Sequence, residues 1–300
     1  MALRFGFGSL GNRPEEIIEL ARHGERLGWH RIWFGEHVAQ PDAQRSRYPY
    51  GEVPLTLTTI DYLDPLIQAA AIASATATIE IATSIFLLPL YHPIFIARAL
   101  STLQPIAENR FIFGVGVGWM PEEFEALGVD FNRRGRRMDE ALRFLRSAQG
   151  GGVVSHEGEE FSFGALTITH RSVSVPLVIG GRSEPALRRA ARYGDGWVST
   201  PDIEVDEVLR NRETIEKHRR EFGTQDREFT YYIRLARPDP ELVAAFAAEG
   251  FTEFNVGAVD LFPRAQVASM SLEQKAGALE RVAVQLGISQ PEVPVLNDLD

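Results

Sequence analysis

The chain has no cysteine among its 300 residues, which excludes a disulfide framework, a thiolate nucleophile and a thiolate metal centre. It also lacks any run of about 18 apolar residues of the kind that crosses a bilayer. Its start, Met-Ala-Leu-Arg-Phe-Gly, has no apolar signal-peptide core, so the expectation is a cytoplasmic protein with no membrane partner. Positive charge is scarce: 31 Lys and Arg stand against 41 Asp and Glu, a formal net charge of -10. That balance argues against a nucleic-acid partner, while leaving room for a phosphate on a small molecule. A Walker loop and a serine-histidine-acid elbow are both missing. So is a dinucleotide fingerprint, although Arg110-Phe-Ile-Phe-Gly-Val-Gly-Val-Gly-Trp119 comes near one. A G-x-G-x-x-G starting at Gly114 would need glycine where Trp119 stands, and one starting at Gly116 would need it where Pro121 stands.

Period 2 gives that segment a different meaning. Phe111, Phe113, Val115 and Val117 share one face of a strand, and Ile112, Gly114, Gly116 and Gly118 share the other. One face packs and the other is bare backbone, an arrangement suited to something lying against it, often a ligand.

Hydrophobic residues make up 44% of the chain, enough for a sizeable core in two ordinary domains or one large barrel. Strand-like and helix-like patterns alternate throughout. The strand segments are 3–7, 31–36, 79–85, 110–117, 175–179, 197–200, 229–235 and 253–256. The helical ones are 14–27, 64–76, 92–106, 133–148, 184–193, 205–222, 240–249 and 272–286. Eight β-then-α units predict a (β/α)8 TIM barrel forming a single domain over 1–300, with a doubly wound open sheet as runner-up. Such a barrel places active groups at the C-terminal ends of its strands. Two loops are long, 38–63 after the second strand and 150–174 after the fourth helix, and long loops often serve as lids or binding walls.

Three strand ends carry candidate chemistry. His37 closes Arg-Ile-Trp-Phe-Gly-Glu-His on the face of Trp33 and Gly35, where an imidazole at the barrel mouth can donate a hydrogen bond or move a proton; Glu36 points the other way. Thr83, Ser84 and Ile85 end the third strand, and small polar groups there can meet a ligand edge, although an ordinary turn capped by His92 accounts for them equally. Gly180-Gly181-Arg182-Ser183 opens a helix whose N-terminus suits a phosphate, with an ordinary glycine turn as the alternative. His23, His30 and His37 recur at spacing seven, yet a helix and a turn place the first two at the opposite end from His37, so no metal site is expected.

Taken together, 110–135 and 176–197 resemble the bacterial luciferase-like superfamily, closest to its subgroup using the deazaflavin coenzyme F420. The likeness runs from about Leu3 to Thr200. It implies a TIM-barrel enzyme, homodimeric, with a flavin-like ring at the mouth. On that resemblance Gly116 and Gly118 lie beside the ring, and Gly180, Gly181, Arg182 and Ser183 hold its phosphate. Thr83, Ser84 and Ile85 match a bulge with a non-prolyl cis peptide behind the ring, and His37 matches the histidine near ring and substrate. The sugar-phosphate dehydrogenases of the family have an acid where Trp119 stands here, so a different substrate is expected. Phe7, Trp33, Tyr48, Tyr50 and Trp119 are expected to form an apolar pocket for a small, flat molecule. The implied reaction is hydride transfer with coenzyme F420. The alternatives are an FMN-dependent monooxygenase using oxygen and a flavin-binding protein without turnover.

Overall fold

Proline and glycine punctuate the chain where its periodicity changes, and several of the helices begin or end at them. Pro14 opens the first helix, and Gly28, at φ 91°, closes it in the left-handed region. The structure is a computed structural model and describes residues 2–9, 13–42, 44–49, 61–201, 204–235, 237–257, 261, 266 and 269–289. Its elements are β1 (Arg4–Ser9), α1 (Pro14–Leu27), β2 (Arg31–Phe34), α2 (Pro65–Ala75), β3 (Glu80–Thr83), β4 (Phe86–Leu87), α3 (Pro93–Ile106), β5 (Phe111–Gly116), α4 (Pro121–Ala126), α5 (Arg134–Ala148), β6 (Val153–His156), β7 (Phe163–Thr167), β8 (Leu177–Gly180), α6 (Glu184–Tyr193), β9 (Gly196–Val198), α7 (Val205–Phe222), β10 (Thr230–Leu235), α8 (Pro240–Ala248), β11 (Glu253–Val256) and α9 (Leu272–Gln285).

Parallel pairing in the order β3-β2-β1-β11-β10-β9-β8-β5 returns to β3 through Ile81 opposite Phe111 and Ala82 opposite Ile112, so eight strands close a barrel. The TIM barrel expected from the alternation is therefore the fold, and the open sheet is set aside. Past Thr83 the register slips by one residue, because Phe86 now faces Val115 and Leu87 faces Gly116. The extra residue is a bulge at Ser84–Ile85, whose peptide bond is cis.

Side-chain parity divides the core in two. Phe5, Phe7, Ile32, Phe34, Phe111, Phe113 and Val115 point outward and pack under the helices. Trp33, Ala82, Ile112, Val178, Val198 and Tyr232 fill the barrel itself. Below them Arg31, 1% exposed, reaches Glu253 at 3.1 Å and Glu80, and stacks 4.7 Å above the Tyr232 ring. Arg4 meets the same two carboxylates at 3.0 and 3.6 Å, so the barrel floor is an ionic plug with its charges matched. The helix ring is joined end to end by a buried pair, Lys275 of α9 with Glu16 of α1, at 2.7 Å.

Segment 150–174 is not a loop over the mouth. It forms the antiparallel hairpin β6–β7 on the outside of the barrel. Phe163 packs edge-on against Phe144 of α5 at 5.0 Å, and Phe161 against His92 at 5.3 Å. Glu140 accepts the backbone N–H groups of Glu159, Glu160 and Phe161, which fixes the hairpin to α5. A weak alternation across Val153–His156 and Phe163–Thr167 hid these short strands in the sequence.

Gly114 sits where two backbones nearly touch: a Cβ there would lie 1.8 Å from the Thr83 carbonyl oxygen. Gly114→Ala is expected to lower stability by roughly 1–3 kcal/mol, the cost of overpacking a dense core. Urea denaturation measures it, and an unchanged midpoint would contradict so close an approach.

Candidate active site

His37 is the third residue past β2, on the inward face set by Trp33 and Gly35. Its Nδ1 is 3.0 Å from Oε2 of Glu123, a carboxylate of α4 that is 1% exposed. The other oxygen, Oε1, accepts the backbone N–H of Val38 at 2.7 Å. With Nδ1 as the donor to Glu123, the ring keeps its lone pair on Nε2. Next to it, Glu122 accepts the N–H groups of Arg45 and Ser46 at 2.7 and 2.9 Å. Burial works to raise the Glu122 carboxyl, but these donors outweigh it and hold the group down at about 2. Two adjacent carboxylates thus fasten the chain after β2 over the mouth at two points. In the sequence Pro121-Glu-Glu reads as an ordinary acidic helix start, so neither role was anticipated.

Aromatic rings surround the imidazole. Tyr62 lies edge-on at 4.9 Å and Trp119 at 5.9 Å, while Tyr48 meets Trp119 at 5.2 Å. Of the expected apolar pocket, then, Trp119 and Tyr48 gather beside His37, and Tyr62 joins them unforeseen. Tyr50 falls outside the described residues. Phe7 is elsewhere: its side chain points outward, 2% exposed, against Trp29 at 5.4 Å. In β1 the glycines take the inward face, just as they do in β5, which forces the phenylalanines under the helices. Trp33 points inward but is 1% exposed, packed edge-on against Tyr232 at 5.3 Å, so it forms the floor and not a contact surface.

The bulge fills the bare glycine face. Ile85 lies across the inner faces of β5 and β8: a Cβ on Gly116 would meet its Cδ1 at 1.9 Å, and one on Gly180 would meet its Cγ2 at 2.6 Å. A Cβ on Gly35 would come within 3.3 Å of the Ser84 carbonyl oxygen. The space beside Gly114 and Gly116 is thus occupied by protein, which corrects the expectation of backbone left open to a ligand. Thr83 is also withdrawn from the mouth, fully buried with its hydroxyl donating to the Gly114 carbonyl at 2.7 Å. Ser84 and Ile85 remain half-buried at the surface of the site. Gly118, at φ 78°, turns the chain from β5 toward α4.

Across the barrel, Gly181 adopts φ 113°, open only to glycine, and its carbonyl accepts Trp197 Nε1 at 2.7 Å. Ser183 occupies the N-cap of α6 in extended conformation, exposed, and its hydroxyl makes no capping bond. Arg182 reaches Glu207 at 3.2 Å. His23 contacts Glu280, and His30 accepts the N–H of Phe5, both away from His37. Among the described residues no three His, Asp or Glu side chains gather as a metal site, and no helix is long and apolar enough to cross a membrane.

Glu36, on the outward face, is 6% exposed and accepts the Leu87 N–H and the Tyr91 hydroxyl, both at 2.5 Å. Burial pushes its carboxyl up from 4.5 to about 7, against the lowering effect of those two donors. The folded state therefore keeps a proton that the unfolded chain releases from about pH 4.5 upward. This contribution to stability is complete below that pH and is lost as pH rises through 7. Between pH 5 and 8 the protein is expected to lose on the order of 2–3 kcal/mol through this group. Glu36→Gln should flatten that part of the profile; denaturation at several pH values tests it, and an identical slope in the variant would rule out Glu36 as its source.

Comparison with known proteins gives the family and supports the fold. Residues 3–245 match the family model described as luciferase-like monooxygenase. An uncharacterised protein of Mycobacterium tuberculosis is 27% identical over 262 residues, covering 85% of this chain and 89% of that protein. The F420-dependent glucose-6-phosphate dehydrogenase of Gordonia bronchialis is 26% identical over 253 residues, 80% of this chain and 70% of that one. Two solved structures share the fold: the monooxygenase RslO1 of Streptomyces bottropensis (TM-score 0.70, 19% identity, 95% of this chain and 98% of that one) and the coenzyme F420-dependent tetrahydromethanopterin reductase of Methanopyrus kandleri (TM-score 0.71, 15% identity, 95% and 99%). The chain belongs to the luciferase-like monooxygenase family.

Proposed function

We propose that this luciferase-like enzyme transfers a hydride between coenzyme F420 and a small organic substrate, with His37 moving the accompanying proton. The observation that carries this reading is the His37–Glu123 pair at the barrel mouth, ringed by Trp119 and Tyr62. A deazaflavin bound there supplies a carbon centre that gives or accepts a hydride and does not activate oxygen. The residues present suit such a group. Ile85 offers a flat apolar surface backed by Gly116 and Gly180, and the uncapped start of α6 at Gly180, Gly181, Arg182 and Ser183 offers N–H groups to a phosphate.

Glu123 fixes the imidazole with Nδ1 protonated, so Nε2 takes the O–H proton of an alcohol as its C–H hydride departs, and returns it in the reverse direction. Trp119, Tyr48 and Tyr62 exclude water from the reacting atoms and favour a flat, rather apolar substrate body. The acid expected at position 119 in sugar-phosphate dehydrogenases is tryptophan here, which supports a substrate other than a sugar phosphate. The same reading carries a cytoplasmic homodimer to this chain.

The second reading, oxygenation with reduced FMN, draws support from the family's monooxygenase description and from the likeness to RslO1. Titrating the purified protein with each cofactor while following ring fluorescence separates the two. Binding of F420 is expected; tight binding of FMN with none of F420 would overturn the proposal, and oxygen uptake with reduced FMN would then support oxygenation. Binding without turnover across a broad panel of alcohols and carbonyl compounds would indicate a binding protein. His37→Ala is expected to lower kcat about 100-fold or more in steady-state assays with unchanged cofactor affinity. Undiminished turnover would remove His37 from the mechanism.

A further inference from the structure

On the barrel wall opposite His37 and the bulge, three adjacent strands end in polar groups with buried atoms that have no hydrogen-bond partner among the described residues. In β10 the inward face that buries Tyr232 continues two residues later to Arg234, and in β11 the face that carries Glu253 continues to Asn255. Arg234 and Asn255 stand directly opposite each other in register. On the third strand Val198 points inward, and Thr200 follows it just past the end of β9. The Arg234 N–H donates to Ser199 Oγ at 2.8 Å, which brings Thr200 alongside Arg234. One row thus crosses β9, β10 and β11 in the layer above Tyr232 and Trp33.

Each member of the row has an unsatisfied atom. Thr200 is 6% exposed and Asn255 3% exposed, and Thr200 Oγ1, Asn255 Oδ1 and Arg234 Nε are all buried without a hydrogen-bond partner among the described residues. Arg234 also makes no ion pair with a described carboxylate. The acids nearest along these faces, Glu253 and Glu80, lie a layer lower and are already held by Arg31 and Arg4. A half-buried guanidinium beside two buried orphans is costly unless a ligand completes it. Its planar fork matches two oxygens of a carboxylate, with Thr200 as a further donor.

We infer that the row Thr200–Arg234–Asn255 anchors the carboxylate of the substrate. The substrate is then an organic acid whose flat body spans the mouth toward Trp119 and Tyr48, and whose reacting carbon lies near His37. Asn255 Oδ1 accepts from a hydroxyl or amide next to the acid group.

This inference rests on the mouth being the substrate's place, and it is tested without any cofactor. The probes are sodium benzoate, which has a flat ring and a carboxylate, and its uncharged isostere benzamide, titrated by calorimetry. Benzoate is expected to bind at least tenfold more tightly than benzamide. Arg234→Gln should reduce benzoate affinity at least tenfold and leave benzamide unaffected. Asn255→Asp, which places a carboxylate against Arg234, should do the same, and it remains informative if the first variant fails to fold. Absence of benzoate binding, equal binding of the two probes, or undiminished benzoate binding in a folded variant would overturn the inference. Arg234-dependent benzoate binding in a protein that ignores F420 would leave this site standing and remove only the cofactor reading.

Discussion

Everything at the mouth depends on how closely β3 approaches the inner faces of β5 and β8. The Thr83 carbonyl lies where a side chain on Gly114 would be, and Ile85 lies where side chains on Gly116 and Gly180 would be. At Gly114 the neighbour is backbone and leaves room only for hydrogen, whereas at Gly116 and Gly180 it is the Ile85 side chain that packs onto the bare α-carbons. The one-residue slip in register between β3 and β5 is thereby locked in place. It presents Ile85, instead of bare backbone, as the surface of the site.

A second layer of control comes from α4. Its two carboxylates collect five backbone or side-chain donors from the segment following β2, and Glu123 in particular serves both the imidazole and the chain beside it. Orientation of His37 and placement of the adjoining loop are therefore a single property. A change in one is transmitted to the other through the same carboxylate, as in other sites where an outer carboxylate sets a histidine's tautomer.

The alternation of strands and helices was readable because strand-like and helix-like patterns follow one another along the chain, with proline and glycine stops at several of the helices. Four elements, 14–27, 184–193, 205–222 and 253–256, have the expected bounds. The parity of β5 and of His37 was also readable, since a glycine face and an apolar face cannot exchange places once helices cover one of them. What escaped were contacts between distant segments. Glu123 lies 86 residues from His37 and Tyr62 lies on the loop between β2 and α2, so no local pattern marks either as a neighbour. Phe7 was misplaced because an aromatic on a strand looks the same facing a ligand or facing a helix. The polar row at Thr200, Arg234 and Asn255 was invisible for the same reason: it exists only when three strands stand side by side. The hairpin of residues 153–167 was missed because its strands are short and half of their side chains face solvent.

Closure of the ring through β1 with β11, and through Glu16 with Lys275, ties the beginning of the chain to its end. Until β11 has been made, β1 and β10 each retain an unpaired edge, and the apolar faces of the first βα units have no complete cylinder to enclose. At the roughly 5–20 residues per second of ribosomal synthesis, about 10–50 s pass between the emergence of β1 and that of its last partner. During that interval the nascent barrel is an open sheet with two adhesive margins, the arrangement most prone to pairing with a neighbouring chain. The geometry that leaves the finished barrel without an edge is thus also what makes its assembly late and non-local.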